Sequence, residues 1–124
     1  MYTLALSKAF AARHFLVGGD WGAENTPHAH SYRVEVRMQA EALDRHGYLV
    51  DLECVQKVLD SCVERYAQRL LNDLPEFAGI NPSIEHFAKR FYHQFINALG
   101  AAPCGMVEVR IWENETAWAG YEER

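Results

Sequence analysis

Residues 30–40 have the sequence HSYRVEVRMQA, and their alternation decides the fold class of this 124-residue chain. After the first histidine every second position is apolar or aromatic, and the positions between are polar or charged. The alternating set comprises His30, Tyr32, Val34, Val36, Met38 and Ala40. A period of two is the spacing of side chains on one face of a β-strand. The stretch therefore predicts a strand with one face in water, which is typical of an antiparallel sheet.

A second strand is predicted upstream of this one, and a loop separates the two. From Tyr2 to His14 the even positions are mostly apolar and alternate with smaller or more polar residues, as in a strand. Residues 17–27 contain three glycines and one proline, which indicates a loop. The chain therefore begins with two strands joined by a glycine-rich connection.

The middle of the chain predicts two helices. Asp51 is a candidate N-cap for a helix that extends to about Leu71, because apolar residues recur there at spacings of three and four. Ser83 is a candidate N-cap for a second helix with one apolar face. Gly100 follows that helix at the C′ position, where glycine is commonest.

Two further strands are predicted at residues 106–113 and 117–121, so the order of elements is ββααββ. Four strands with two helices grouped between them predict an α+β fold, in which the helix pair covers one face of a four-stranded antiparallel sheet. We expect a single domain, residues 1–124. The open edges of such a sheet favour a homo-oligomer, since neighbouring copies can cover them.

Charge and cysteine content exclude several classes of function. The chain has 12 Lys and Arg against 17 Asp and Glu and no basic run, so we expect no nucleic-acid partner. No stretch reaches the roughly 18 apolar residues of a membrane span, so no membrane partner is expected. Cys54, Cys62 and Cys104 lack C-x-x-C spacing, which favours a reducing cytoplasmic location. Cys54 and Cys62 are predicted to be small core side chains of the first helix.

Three of the six histidines are candidate metal ligands. His28 and His30 are two residues apart at the entry to a strand, so their side chains project to the same side. His14 ends the preceding strand, and the loop between them allows the three rings to meet at one rim of the sheet. Three imidazoles with an open fourth position are typical of a catalytic zinc site, although histidines near a loop also occur without a metal. The remaining histidines, at positions 46, 86 and 93, are predicted to be surface residues.

Glu113 is a candidate ligand-binding residue. It follows three apolar residues, Val107, Val109 and Ile111, on the side of its strand that is predicted to be buried. A buried carboxylate needs partners, and a ligand with adjacent N–H donors would bind it through both oxygens. The alternative is a rim glutamate that faces water where the strand ends.

The order and spacing of several short motifs resemble those of a known family. The motifs are residues 10–14 (FAARH), 28–32 (HAHSY), 47–52 (GYLVDL), 71–73 (LND), 81–85 (NPSIE) and 107–113 (VEVRIWE). Together they resemble the 6-pyruvoyltetrahydropterin synthase and 6-carboxytetrahydropterin synthase family over nearly the whole chain. The resemblance implies the tunnelling fold, in which three subunits form a twelve-stranded barrel and two trimers stack as a hexamer.

The resemblance also implies a site between subunits. It implies that zinc is bound by three histidines, which match His14, His28 and His30. A glutamate at the position of Glu113 anchors the 2-amino-4-oxo edge of a pterin in this family. Residues that match Ser83 and Glu85 lie near the pterin, so the implied partner is a small-molecule pterin substrate.

The chain departs from the family at its proton-transfer positions. Members with synthase activity have a cysteine four residues before the H-x-H pair, where this chain has Glu24. They also have an Asp-His pair, where this chain has Ala67 and Gln68. Glu24 is then the candidate general base, since a carboxylate beside the histidine pair can accept a proton. The alternative is an exposed loop carboxylate without a role.

Two functions remain open from the sequence. The first is a zinc-dependent lyase that acts on the side chain of a dihydropterin such as 7,8-dihydroneopterin triphosphate, in a pathway to queuosine, folate or biopterin. In it Glu24 serves as base and zinc as Lewis acid. The second is a divergent pterin-binding paralogue without turnover. The two differ in whether a product forms.

Overall fold

The computed structural model describes residues 1–100 and 105–124, and Cys104 lies outside the described residues. The chain forms β1 (Tyr2–His14), β2 (His28–Ala40), α1 (Leu52–Tyr66), α2 (Ile84–Leu99), β3 (Met106–Trp112) and β4 (Trp118–Glu122). Short 3-10 turns occur at Gly22–Asn25, Leu71–Asp73 and Pro75–Phe77. The predicted ββααββ order is therefore confirmed. Within the described ranges, neither helix combines the length and the apolar character that crossing a bilayer requires.

The four strands form one antiparallel sheet in the order β1-β2-β3-β4. The register of the first pair runs from Tyr2 opposite Ala40 to His14 opposite His28. Strand β3 is shorter and pairs only with residues 33–39 of β2. The first five residues of β2 therefore extend beyond β3 and pair with β1 alone.

Both helices pack on one face of the sheet, α2 against β3 and β4, and α1 against β1. The even-numbered positions of β2 supply the buried side of the sheet, as the alternation predicts. The largest fully buried side chains of the core include Tyr66, Phe77, Phe87, Phe91, Phe95, Leu59, Val34, Val36, Val109 and Ile111. Each such side chain contributes about 1.5–3 kcal/mol relative to exposure, which makes this layer the main source of stability.

The starts of both helices are capped as the sequence predicts. The Asp51 carboxylate accepts hydrogen bonds from the main-chain N–H groups of Glu53 and Cys54. The Ser83 hydroxyl accepts one from the N–H of His86. Gly100 follows α2 with a φ of 75°, a left-handed conformation that favours glycine.

The predicted end of the first helix is wrong. The helix stops at Tyr66 rather than near Leu71, because Gln68 adopts a φ of 63° and turns the chain towards β1. The Gln68 N–H donates to the carbonyl of Ala11 at 2.7 Å, and the Arg13 N–H donates to the carbonyl of Arg69 at 2.8 Å. Two main-chain hydrogen bonds at the sheet edge thus replace further helical ones, and they fix the chain beside the end of β1.

The prediction for Cys62 is confirmed, and that for Cys54 is wrong. Cys62 is buried, and burial raises the pKa of its thiol to about 11. Cys54 is exposed. It precedes the buried Val55 by one residue, and a rotation of 100° per residue carries it off the apolar stripe.

Candidate active site

The three candidate histidines converge at one end of the sheet. His14 lies opposite His28 in the β1–β2 register, and His30 is two residues further along β2 on the same face. The ring centroid of His14 is 4.6 Å from that of His28 and 4.7 Å from that of His30. The centroids of His28 and His30 are 5.0 Å apart. One ring nitrogen from each lies within 4.8 Å of the others. The predicted convergence is confirmed, and the group could hold a metal ion.

His14 is the most buried of the three, with 8% of its surface exposed. Its Nδ1–H donates to the carbonyl of Pro82, with 3.3 Å between nitrogen and oxygen. Burial, and then the nearby rings of His30 and His28, lower the pKa of His14 to about 4. The ring is therefore neutral near pH 7, with its lone pair on Nε2.

His28 presents a nitrogen that has no partner. Its Nδ1–H donates to the carbonyl of Thr26 at 2.9 Å, which leaves the lone pair on Nε2. That Nε2 atom is buried and, within the described residues, has no hydrogen-bond partner. A buried acceptor without a partner costs about 1–3 kcal/mol, and a bound cation would relieve that cost. A donor set of three imidazole nitrogens fits Zn²⁺ with an open position for a substrate.

Tyr32 belongs to this group, and a role for this residue was not predicted from the sequence. It is 2% exposed, and its Oη lies 3.1 Å from Nδ1 of His14. Its ring contacts that of His30 at a centroid distance of 5.8 Å. The alternation of β2 could have indicated it, because Tyr32 is the next residue after His30 whose side chain lies on the same face of the strand.

The remaining histidines lie outside the group. His46 and His86 are exposed, as predicted. His93 lies at the surface with 41% of its side chain exposed, and its Nε2 is 2.7 Å from a carboxylate oxygen of Glu123.

The segment after His14 is held by asparagine side chains. Asn72 accepts from the N–H of Phe15 and donates to its carbonyl, each at 3.0 Å. Asn81 makes the same pair of hydrogen bonds with Val17, at 2.7 and 3.1 Å. These two amides fix the path of the chain from β1 into the loop.

Glu24 is exposed and lies in the 3-10 turn of that loop. Its carbonyl accepts a hydrogen bond from the N–H of Leu16 at 2.8 Å, which ties the turn to the segment just after His14. Its charge acts on His14 in the direction that raises the pKa of the imidazole. Glu24 is therefore within electrostatic reach of the histidine group.

A cavity of about 550 Å³ opens beside the part of β2 that extends beyond β3. Its lining includes Tyr32, Trp112 and Glu113. Glu113 follows directly after β3, which ends one residue earlier than predicted, and it is half-buried. Burial, and then the charge of Glu113, raise the pKa of Tyr32. Tyr32 thus lines the cavity of Glu113 and also contacts the histidine group.

Ser83 and Glu85 lie at the start of α2. Ser83 follows Pro82, whose carbonyl binds His14, and its hydroxyl is the N-cap described above. Glu85 is exposed in the first turn of the helix. Neither residue lines the cavity of Glu113.

Comparison with known proteins gives one consistent result. A family model described as 6-pyruvoyl tetrahydropterin synthase matches residues 3–124. The 6-carboxy-5,6,7,8-tetrahydropterin synthase of Bacillus subtilis is 27% identical over 132 residues, which cover 99% of this chain and 88% of that protein.

Solved structures show the same fold. The 6-pyruvoyl tetrahydropterin synthase of Caenorhabditis elegans superposes with a TM-score of 0.86 at 20% identity, covering 99% of this chain and 96% of that one. A Plasmodium vivax 6-pyruvoyltetrahydropterin synthase, solved as a mutant of a catalytic glutamate, gives 0.81 at 15% identity, covering 99% and 98%.

Proposed function

Because the chain belongs to the 6-pyruvoyl tetrahydropterin synthase family, we propose that it is a zinc-dependent lyase acting on the side chain of a dihydropterin such as 7,8-dihydroneopterin triphosphate. Processing of a pterin side chain is the general chemistry of this family of lyases. The observation that carries the proposal is the group formed by His14, His28 and His30, in which a buried Nε2 atom has no partner within the described residues.

The three histidines are the proposed zinc ligands. The main-chain carbonyls of Pro82 and Thr26 orient His14 and His28, so that each ring keeps its lone pair on Nε2. A zinc ion held there would supply a Lewis acid that polarises oxygen atoms of the substrate side chain. The three imidazoles would hold the ion, and three protein ligands would leave a fourth coordination position for the substrate.

Glu113 is the proposed anchor of the pterin ring. Its carboxylate lines a cavity whose volume falls within the usual range of small-molecule sites, roughly 300–1,000 Å³. Adjacent N–H groups on the 2-amino-4-oxo edge of a pterin can donate to both carboxylate oxygens. Ser83 and Glu85, at the start of α2, are proposed to lie near the pterin from the family resemblance.

Glu24 is the proposed general base. It is tied to Leu16 and acts electrostatically on His14, as a base beside the metal ligands requires. A carboxylate can accept a proton from a side-chain hydroxyl of the substrate. Two solved Plasmodium vivax relatives are mutants in which a catalytic glutamate is replaced by alanine or by cysteine, so a glutamate serves this family elsewhere.

We propose that the chain assembles as a homo-oligomer, a hexamer of two trimers, as the family resemblance implies. The Ala11 carbonyl and the Arg13 N–H bond outward to residues 68 and 69, so the odd-numbered residues of β1 direct their main-chain groups to the outer edge. Within the described chain, residues 3–9 have no such partner there, and a neighbouring sheet could supply one. The free thiols of Cys54 and Cys62 are consistent with a proposed cytoplasmic location.

A divergent pterin-binding paralogue without turnover is the second candidate. Glu24 is exposed, and Ala67 and Gln68 offer no ionisable group. Proton transfer would therefore depend on a single carboxylate. This candidate predicts zinc and pterin binding without product.

The test is incubation of the zinc-loaded protein with 7,8-dihydroneopterin triphosphate, followed by mass spectrometry of the pterin product and of the released two- or three-carbon fragment. We expect product from the wild type and a rate lower by about 100-fold or more in Glu24→Gln, the usual range for a general base. Glu64→Gln, which alters an exposed carboxylate of α1, is the matched control and should react like the wild type.

A parallel titration with the pterin separates the two candidates. Glu113→Gln should weaken pterin binding, because the neutral amide accepts at one atom only. Pterin binding without product above the Glu24→Gln level would contradict the lyase and support the binding paralogue. Absence of both zinc and pterin binding would contradict both.

A further inference from the structure

The hydroxyl of Tyr32 and the carbonyl of Pro82 meet at the same nitrogen, Nδ1 of His14. The distances are 3.1 Å from the hydroxyl and 3.3 Å from the carbonyl. The bond to Pro82 is longer than the usual 2.9–3.0 Å of an N–H···O hydrogen bond, so the carbonyl alone holds the ring weakly. With hydrogen on Nδ1, this single N–H is shared by two acceptors, the hydroxyl oxygen of Tyr32 and the carbonyl oxygen of Pro82, and the hydroxyl oxygen is the nearer of the two.

The ring of Tyr32 is fixed by the core. It stacks on Phe10 at a centroid distance of 5.6 Å and 30° between planes. It meets Phe87 edge to face at 5.3 Å and 86°. Aromatic pairs with this geometry restrict both side-chain torsions of a tyrosine. The hydroxyl is thus a rigid point beside a buried histidine, unlike a group on a mobile loop.

We propose that Tyr32 is a positioning residue of the metal site, whose hydroxyl holds the His14 imidazole in the orientation and tautomer that leave the lone pair on Nε2. The inference rests on the metal role proposed for His14. Outer-shell partners of this kind orient a ligand ring and raise the affinity of the site for its metal. Tyr32 also lines the cavity of Glu113, so this residue contacts both the cavity and the proposed metal ligands.

The test compares Tyr32→Phe, which keeps the ring and removes the hydroxyl, with Tyr66→Phe. Tyr66 is also fully buried, and its hydroxyl donates to Glu76 at 2.9 Å, away from the histidine group. Zinc affinity is measured by competition with a chromophoric chelator. We expect Tyr32→Phe to bind zinc about 10–100-fold more weakly than the wild type, and Tyr66→Phe to lose stability without losing zinc affinity.

Each outcome decides the inference. Equal zinc affinity in the wild type and Tyr32→Phe would overturn the role of Tyr32 and leave the proposed function intact. A wild-type protein that binds no zinc would overturn the metal proposal and this inference with it. An equal loss in Tyr66→Phe would show that the effect is general destabilisation, and would also overturn it.

A second measurement does not depend on the folding of the variant. In the metal-free wild-type protein labelled with ¹⁵N-histidine, the imidazole shifts of His14 report which nitrogen carries hydrogen. We expect a single tautomer with hydrogen on Nδ1. A rapidly exchanging mixture of tautomers in the wild type, or a single tautomer with hydrogen on Nε2, would overturn the proposal.

Discussion

Asn81 binds the main chain of Val17 with both ends of its side-chain amide, accepting from the N–H at 2.7 Å and donating to the carbonyl at 3.1 Å. Asn72 binds Phe15 in the same way. Between these two residues, the Leu16 N–H donates to the carbonyl of Glu24. The two amides therefore act as short substitutes for a neighbouring strand, and they hold the segment to which the candidate base is tied.

Replacement of Asn81 by aspartate should loosen this segment. The carboxylate can still accept a hydrogen bond from the Val17 N–H. It cannot donate one to the Val17 carbonyl, and its negative charge repels that carbonyl oxygen. We expect a loss of about 1 kcal/mol in the free energy of unfolding and faster hydrogen exchange at Leu16 and Val17. Asn97→Asp, at an exposed position of α2, is the matched control for the added charge. Unchanged exchange at both amides would contradict the prediction.

Loss of one ligand should abolish tight zinc binding. Because loss of an outer-shell partner already costs 10–100-fold, we expect His30→Ala to weaken zinc binding by more than about 100-fold. Zinc should also raise the melting temperature of the wild type and not that of the variant, since only a ligand that binds the folded state stabilises it. His46→Ala removes an exposed histidine and serves as the control. If purified His30→Ala contained stoichiometric zinc, the assignment of His30 as a zinc ligand would be refuted.

Stability should fall in acid through Glu76. Arg65 donates to this carboxylate at 2.7 and 2.6 Å, and Tyr66 donates at 2.9 Å. The hydrogen bonds from Arg65 are the main cause that lowers the pKa of Glu76 from 4.5 to about 2. The folded pKa lies below the unfolded value, so the contribution is complete above about pH 4.5 and disappears as the pH falls towards 2. The contribution of Glu76 to the free energy of unfolding is at most about 3–4 kcal/mol.

Urea denaturation of metal-free wild type and Glu76→Gln from about pH 7 to about pH 3 measures this contribution. The stability gap between the two proteins should be largest at neutral pH and should narrow as the acid protonates Glu76. The charging of His14 affects both proteins and cancels in the difference. Glu64→Gln should show no such narrowing. If the difference in free energy of unfolding between the wild type and Glu76→Gln were the same at both ends of the pH range, the role of Glu76 in acid stability would be refuted.

Gly105 should tolerate no side chain. Its φ is 116°, and a Cβ there would overlap the main-chain carbonyl of Gln39. We expect Gly105→Ala to lower the free energy of unfolding by more than about 2 kcal/mol. Gly47→Ala is the matched control, because φ is 85° but nothing lies within 4 Å of the added carbon. Gly47→Ala should lower the free energy of unfolding by only about 1 kcal/mol, the cost of a left-handed backbone at a residue with a side chain. Equal losses of stability in the two variants would contradict the steric argument.

The sequence predicted the features that depend on local periodicity. The period of two placed His30 on the same face as Val34, and the antiparallel register then placed His14 opposite His28. The convergence of three histidines followed from these two facts. The caps at Ser83 and Gly100 were also predictable, because capping depends on residues within one turn of the helix.

The features that depend on long-range contacts were not predictable. The helix period continues past Tyr66, but hydrogen bonds of residues 68 and 69 to β1 end the helix early. Neither the contact of Tyr32 with His14 nor the Pro82 carbonyl behind that ring has a local pattern, since 18 and 68 residues separate the partners. The apolar stripe predicted for the first helix was wrong at Cys54, which is exposed and lies one residue before the buried Val55.

The hydrogen-bonded pairing of β1 with β2 determines the geometry of the histidine group, and the loop between the two strands does not. Insertions within residues 18–23 would therefore leave the three rings in place, as long as the Asn72 and Asn81 amides keep their partners. Insertion of a single residue between His30 and Val34 would move both imidazoles of β2 to the opposite side of the sheet. Length variation among relatives should accordingly accumulate in the loop and be absent from the paired strands.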